Sequence, residues 1–272
     1  LLGGGKRVIK ATSTLVPLMG VIYISVAFIL TIMHINLVPG VVGRIFAEAF
    51  DFTAIFGGFA GSCMMFGIKR GLYSNEAGVG SAPNAAAAAD VSHPVKQGLV
   101  QMLSVFIDTL LICTATAFMC LSSGIEPTKE LAGAPYVQAA LAASMGDYAK
   151  LFITVSMVLF AFTTLLGNLY YVDNAFAYVL KHVPGKTFTL CYRILACVLI
   201  FIGSGSSMGT MWDLADVTMG FMAIINLPVI CILGGPALRA LDDYTEQRDA
   251  GKNPEFKASK IGLTQKLDYW QD

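Results

Sequence analysis

Apolar residues run through this chain in long blocks, and the polar residues gather in the gaps between them. Residues 15–33 carry no charge and match the roughly 20 apolar residues that a helix needs to cross a bilayer core. Comparable blocks occupy 98–121, 151–172, 188–203 and 211–233, and each is predicted to span. Pro17 falls near the start of the first block, where a missing N–H is tolerated. A sixth block, 52–68, is interrupted by Gly57, Gly58 and Gly61. Glycine inside a helix costs up to about 1 kcal/mol relative to alanine. Three in so short a stretch predict backbone that leaves the helical path, which a bilayer tolerates only where it is buried in protein or lines a watery cavity. Gly57 and Gly61 also make a GxxxG face suited to close helix packing. Both readings stand at this point.

The gaps have their own patterns. Residues 38–50, with Pro39, Arg44 and Glu48, predict a short amphipathic loop helix. The alanine run 85–89 is too short to span and predicts an interfacial helix. Residues 122–150 are polar but contain Tyr136-Val137-Gln138-Ala139-Ala140-Leu141, expected to lie as a helix over the outer mouth. The chain divides into a transmembrane portion, 1–238, and a charged amphipathic tail, 239–272, whose Leu267, Tyr269 and Trp270 suit a membrane surface. Six spans put both ends on one side. If that side is cytoplasmic, only Arg44, Lys129 and Lys150 of the 18 Lys and Arg lie outside, as the positive-inside rule requires.

Composition agrees with the block pattern. Charged residues make up 13% against roughly 25% in a soluble domain. A net charge of zero removes any electrostatic case for nucleic-acid binding. The six cysteines (Cys63, Cys113, Cys120, Cys191, Cys197 and Cys231) form no CxxC pair and are expected to act as small core hydrophobes. His34, His93 and His182 fall outside the apolar blocks and are expected in solvated loops. Gly205-Ser206-Ser207-Met208-Gly209 matches GxSxG, yet no strand precedes it and no histidine lies in the blocks to partner the serine. There is no HExxH, Walker loop or dinucleotide fingerprint.

Several stretches carry a more specific signal. Lys69-Arg70-Gly71-Leu72-Tyr73-Ser74-Asn75-Glu76-Ala77-Gly78, then Gly80-Ser81-Ala82-Pro83, resembles the signature of the alanine/glycine:cation symporter family. The resemblance continues in Gln97-Gly98-Leu99, Phe106-Ile107-Asp108-Thr109, Leu159-Phe160-Ala161-Phe162-Thr163-Thr164 and Trp212-Asp213-Leu214-Ala215-Asp216. It implies an all-α polytopic protein with a partial LeuT-like bundle of the amino acid–polyamine–organocation superfamily, about six transmembrane helices with one broken. It also implies a multi-pass protein of the inner (plasma) membrane in which sodium, or protons in some members, drives uptake of small neutral amino acids. Under this resemblance the chain is a C-terminal portion that lacks the family's first four helices. A cation or small-solute channel is the alternative, and an intramembrane enzyme a more distant one.

Candidate chemistry follows from residue type and place. Phe56, Gly57, Gly58, Phe59 and Gly61 offer exposed helix-end backbone and apolar walls for a small zwitterion, although either Phe also suits ordinary packing. Thr163 and Thr164 can cap carbonyls within a helix. By the resemblance they instead hold sodium with the Phe160 carbonyl, and Asn168 faces the substrate. Tyr170-Tyr171-Val172-Asp173 departs from the Tyr-Tyr-Gly-Glu of the family pattern. Asp108 is the acid well inside an apolar block, where it either ligates a cation, carries a proton or bonds to nearby hydroxyl and N–H groups. Glu76, beside Lys69 and Arg70 in sequence, suits a cytoplasmic gate or a packing network. Arg193, near one end of its block, is expected to snorkel.

Overall fold

A computed structural model of the chain describes residues 5–52, 63–76, 78–128, 131, 133–263, 267, 269 and 270, with side chains at residue 10 and from 12 onward. Among them every regular element is a helix: α1 Gly5–Met33, α2 Val38–Ala49, α3 Cys63–Ser74, α4 Ala82–Ala86, α5 Pro94–Phe106, a π-helix Ile107–Cys113, α6 Thr114–Leu121, α7 Ala134–Met145, α8 Asp147–Leu180, α9 Lys186–Ser204 and α10 Met208–Asp249, with short 3-10 turns at Ile35–Leu37 and Ala258–Ile261. Among the described residues, five stretches are long and apolar enough to cross a membrane: Thr12–Met33, Pro94–Leu121, Asp147–Leu180, Lys186–Ser204 and Met208–Asp249. They contain the five uninterrupted blocks. The sixth block, 52–68, lies largely outside the described residues; its visible end belongs to α3, which runs past Ile68 to Ser74.

The chain forms two compact units. The first comprises Leu1–Ser74 and Phe106–Cys197. Its core is set by Tyr23, Ala27 and Leu30, spaced to share one face of α1, which pack with Met119, Leu141, Ala149 and Ile153 of α6, α7 and α8. Ala27 and Ala149 let the helix backbones approach closely. Tyr23 shares a 2.9 Å hydroxyl hydrogen bond with Thr116, and its ring meets the edge of Phe160 at 5.6 Å. The helix predicted around Tyr136–Leu141 exists as α7, with Ala140 and Leu141 wholly buried. The loop helix α2 packs on α3 and α6. Its Arg44 forks onto Glu126 (2.9 and 3.1 Å) and bonds to Glu48 at 2.6 Å. The guanidinium holds the Glu126 carboxyl below the ordinary glutamate range.

Arg193 does not snorkel. Its Nη2 donates to Asp173 Oδ2 at 2.7 Å, joining α9 to α8, and neither side chain is highly exposed. Phe176, Phe188 and Tyr192 pack alongside, with ring centroids 5.1 and 5.3 Å from that of Phe176. The cysteines also depart from expectation. Cys120 is buried, whereas Cys63, Cys113, Cys191, Cys197 and Cys231 are exposed on helix surfaces.

The second unit comprises Asn75–Val105 and Val198–Asp272. Its long helix α10 begins at Ser207, whose hydroxyl accepts from the Thr210 N–H at 3.2 Å. The serine of the GxSxG match is therefore a helix cap. The helix continues beyond the apolar block to Asp249, so residues 239–249 of the tail are helical. The rest of the tail folds back on its own unit. Phe256, Ala258 and Ile261 are buried with Ala240, and Val95, Leu263, Leu267 and Trp270 pack around them. The Phe256 N–H donates to the Ser92 carbonyl at 3.0 Å and the Trp270 indole to the Val91 carbonyl at 3.2 Å. Leu267 and Trp270, expected to meet a membrane surface, thus meet protein instead, while Tyr269 stays exposed.

His93 is the pin of this clasp. Expected in a solvated loop, it is wholly buried between the rings of Tyr244 and Phe256, each 5.2 Å away. Its Nδ1 accepts from the Val95 N–H at 3.2 Å, so the proton sits on Nε2, which points at Asp243 Oδ2 3.4 Å away. Burial pushes the imidazole below its ordinary range, against the opposing pull of Asp243, and Lys96 and Lys260 lower it further. A base whose folded-state pKa is lowered binds protons more readily when unfolded. The clasp therefore keeps its full stability above the ordinary histidine value and loses it as pH falls below about 6.5. Limited proteolysis of 250–263 is expected to accelerate at pH 5.5 relative to pH 7.5. A His93→Gln variant should erase most of that difference; an unchanged pH ratio would show that another group sets it.

Candidate functional site

Between α3 and α4 the described residues, 75, 76 and 78–81, are not helical. Glu76 (φ 51°), Gly78 (φ 79°) and Gly80 (φ 102°) all have positive φ, and helix resumes at Ala82 with Pro83 in its first turn. Such a stretch abandons its i→i+4 bonds, so its carbonyls need other partners. They find asparagines. Asn226, inside the apolar block of α10, donates its side-chain amide to the Gly78 carbonyl at 3.1 Å. Asn84 donates to the carbonyls of Gly80 (3.4 Å) and Ser81 (3.3 Å). Val79 is buried between the two glycines.

Both glycines are required twice over. An L-residue is strained at either φ, and a Cβ at Gly80 would lie 3.0 Å from Asn226 Cγ, while one at Gly78 would lie 2.8 Å from Leu227 Cδ2. This interruption was not anticipated from sequence, where Gly57, Gly58 and Gly61 carried the expectation of a break. Those residues, with Phe56 and Phe59, lie outside the described residues. Glu76, expected in a gate or packing network, stands within the interrupted stretch.

The first unit holds the hydroxyl candidates. Thr163 is buried, and its Oγ1 lies 3.1 Å from the Leu159 carbonyl and 3.0 Å from that of Phe160. One proton serves either contact, leaving the oxygen's lone pairs for another partner. Thr164 is exposed, as is Asn168 one turn on. The helical period separates the set: Phe160 and Thr163 share the face packed toward Tyr23, and Thr164 and Asn168 share an outward one.

Asp108 sits at the start of the π-helix and near the midpoint of the Pro94–Leu121 span. It accepts a 2.6 Å hydrogen bond from Ser74 Oγ, and Ser74 Oγ lies 3.7 Å from Cys113 Sγ. The hydroxyl that Asp108 bonds is thus Ser74, at the end of α3. Among the described residues no cluster of three or more His, Cys, Asp or Glu is placed to hold a metal ion.

Comparison with known proteins places this multi-helix, largely apolar chain in a family. The model of the sodium:alanine symporter family matches residues 1–258. The chain belongs to that family. It is 43% identical over 272 residues to the amino-acid carrier protein AlsT of Bacillus subtilis, covering 100% of this chain and 57% of the relative. It is 41% identical over 270 residues to the same organism's probable sodium/glutamine symporter GlnT (99% and 56%), and 38% identical over 251 residues to the sodium/alanine symporter AgcS of Methanococcus maripaludis (91% and 54%). The chain spans a little over half the length of these relatives. Family and helices together make it part of a polytopic membrane transporter and set the enzyme readings aside.

Proposed function

We propose that the protein at its full length is a secondary active symporter that couples entry of sodium, or protons, to uptake of a small neutral amino acid such as alanine or glycine. What supports this reading is the match of the sodium:alanine symporter family over residues 1–258 together with the apolar, membrane-length helices among the described residues. Interrupted helices present backbone dipoles to a zwitterion without burying a fixed side-chain charge. The family resemblance supports a LeuT-like bundle for 1–238, in the inner membrane with both ends of this chain cytoplasmic and 239–272 as a cytoplasmic extension. The interruption expected at Phe56, Gly57, Gly58, Phe59 and Gly61 belongs to the same proposal. Relatives named for alanine and for glutamine leave side-chain size to the pocket walls.

Radiolabelled amino-acid uptake into vesicles, with and without a sodium gradient, tests the reading. Saturable uptake that collapses with the gradient supports symport; flux that never saturates points to a channel.

Sodium, as cargo, fits beside Phe160, Thr163 and Thr164. The Phe160 carbonyl and Thr163 hydroxyl already lie together, and both are oxygen donors suited to a hard cation. Thr163→Ala should raise the sodium concentration for half-maximal uptake roughly five- to thirtyfold, from about 1–2 kcal/mol of lost interaction. Thr164→Ala should act in the same direction. Linkage then requires substrate affinity to fall at low sodium and recover at saturating sodium. Sodium titrations of both variants that overlay the parent's would leave the hydroxyls with their carbonyl contacts alone.

A further inference from the structure

We propose that Asp108 is a proton-binding site, bridged by Ser74 between α3 and the π-helix. The inference rests on the spanning character of Pro94–Leu121 and not on any particular transported solute. Three observations meet at this residue. The carboxyl lies at mid-span, where an ionised acid is costly and marks function by default. Its hydrogen-bond partner, Ser74 Oγ, is neutral, and no cationic side chain among the described residues pairs with it. The helix around it is π-wound from Ile107 to Cys113, a form found mostly as single bulges at functional positions. The wide turn is stabilised locally: the Thr114 hydroxyl donates to the Thr109 carbonyl at 3.1 Å.

The partner's chemistry selects a proton. A serine hydroxyl both donates and accepts. With Asp108 ionised, Ser74 donates to Oδ2; once a proton from water adds to the carboxylate, the O–H donates to Ser74 Oγ across the same contact. Both states keep their bond without moving either helix. A sodium ion would instead need several further oxygens. The described surroundings supply Ser74 Oγ and, beyond it, the soft Cys113 sulfur. Among the described residues, titratable and charged groups on the packed elements are Cys63, Lys69, Arg70 and Tyr73 of α3, Lys10 and Tyr23 of α1 with His34 just past its end, and Lys96, Cys113 and Cys120 along its own helix. None of them bonds to or pairs with Asp108. Tyr23 is engaged with Thr116, His34 with the Leu30 carbonyl, and Lys69, Arg70 and Tyr73 with other groups.

Infrared difference spectroscopy of the protein at full length in lipid, titrated from neutral to acid pH without any amino acid, decides the matter. A carboxylic-acid carbonyl band should grow on acidification, vanish in Asp108→Asn, and persist with a shifted frequency and midpoint in Ser74→Ala. Asp108→Glu, which keeps the carboxyl, should retain a titrating band if the helix path is intact. A band identical in Asp108→Asn and parent would overturn the proposal. So would a band that is absent in the parent while Asp108→Asn raises the sodium concentration needed for half-maximal uptake, which would make Asp108 a sodium ligand. Because the titration needs no transport, its outcome stands even if amino-acid uptake is not found.

Discussion

Replacing Gly80 with valine should destabilise the protein by roughly 2–5 kcal/mol and abolish uptake, the largest effect expected of any single glycine here. Two costs act at once. The backbone sits at φ 102°, a region that a β-branched residue does not enter without strain. The new Cβ would also press to 3.0 Å on Asn226 Cγ, the group that holds the Gly78 carbonyl. Relief requires Asn226 to withdraw, which leaves that carbonyl without its partner. Gly98→Ala is the control. That glycine lies in α5 with nothing within 4 Å of a Cβ, so alanine should be neutral or stabilise by up to about 1 kcal/mol. Thermal melting of both variants in detergent, followed by uptake, separates them. Equal melting temperatures would mean that the interrupted stretch is not held as described.

What was legible in the sequence depended on how local its cause was. The long apolar blocks announced α1, the α5–α6 path, α8, α9 and α10, because crossing a bilayer demands continuous apolar surface. Their ends were hidden. Polar residues of high helix propensity, such as Arg239, Glu246, Gln247 and Arg248, prolong a helix without any hydrophobic signal. The interruption at 75–81 was hidden for a different reason. The glycines embedded in apolar residues carried the expectation of a break, whereas Asn75, Gly78, Gly80 and Pro83 entered only as parts of the family signature. Their turn chemistry was the available signal, and the chain's family signature runs straight through it.

His93 and Arg193 mark the limit of local reading. A histidine just before Pro94 looks like a loop residue, and only the return of Phe256 from the far end of the chain buries it. Asp243, its acidic neighbour, lies 150 positions away. No window along the sequence contains both. Arg193 and Asp173 are only 20 positions apart, on two helices joined by a short turn. Opposite charges placed symmetrically about the turn of a helical hairpin were a usable clue. Thr163 and Thr164 sat between these extremes: their adjacency was plain, but one alone is buried, since neighbouring helix positions face different ways.

The Asp173–Arg193 pair sets the second large expectation. Removing one partner of a poorly exposed ion pair leaves the other charge uncompensated, at a cost of about 3–5 kcal/mol. Asp173→Leu and Arg193→Met should each lower yield and melting temperature sharply. Asp173→Asn should do less harm, because its carbonyl oxygen still accepts from the guanidinium. The double change Asp173→Leu with Arg193→Met removes both charges, and Phe176, Phe188 and Tyr192 offer apolar surface for the new side chains to join. It should therefore recover much of the stability that either single change loses. A double-mutant cycle measures this directly, with a coupling energy well above the experimental scatter if the charges depend on one another. Strict additivity would place the strength of the α8–α9 contact in its aromatic packing and reduce the 2.7 Å ion pair to a bystander.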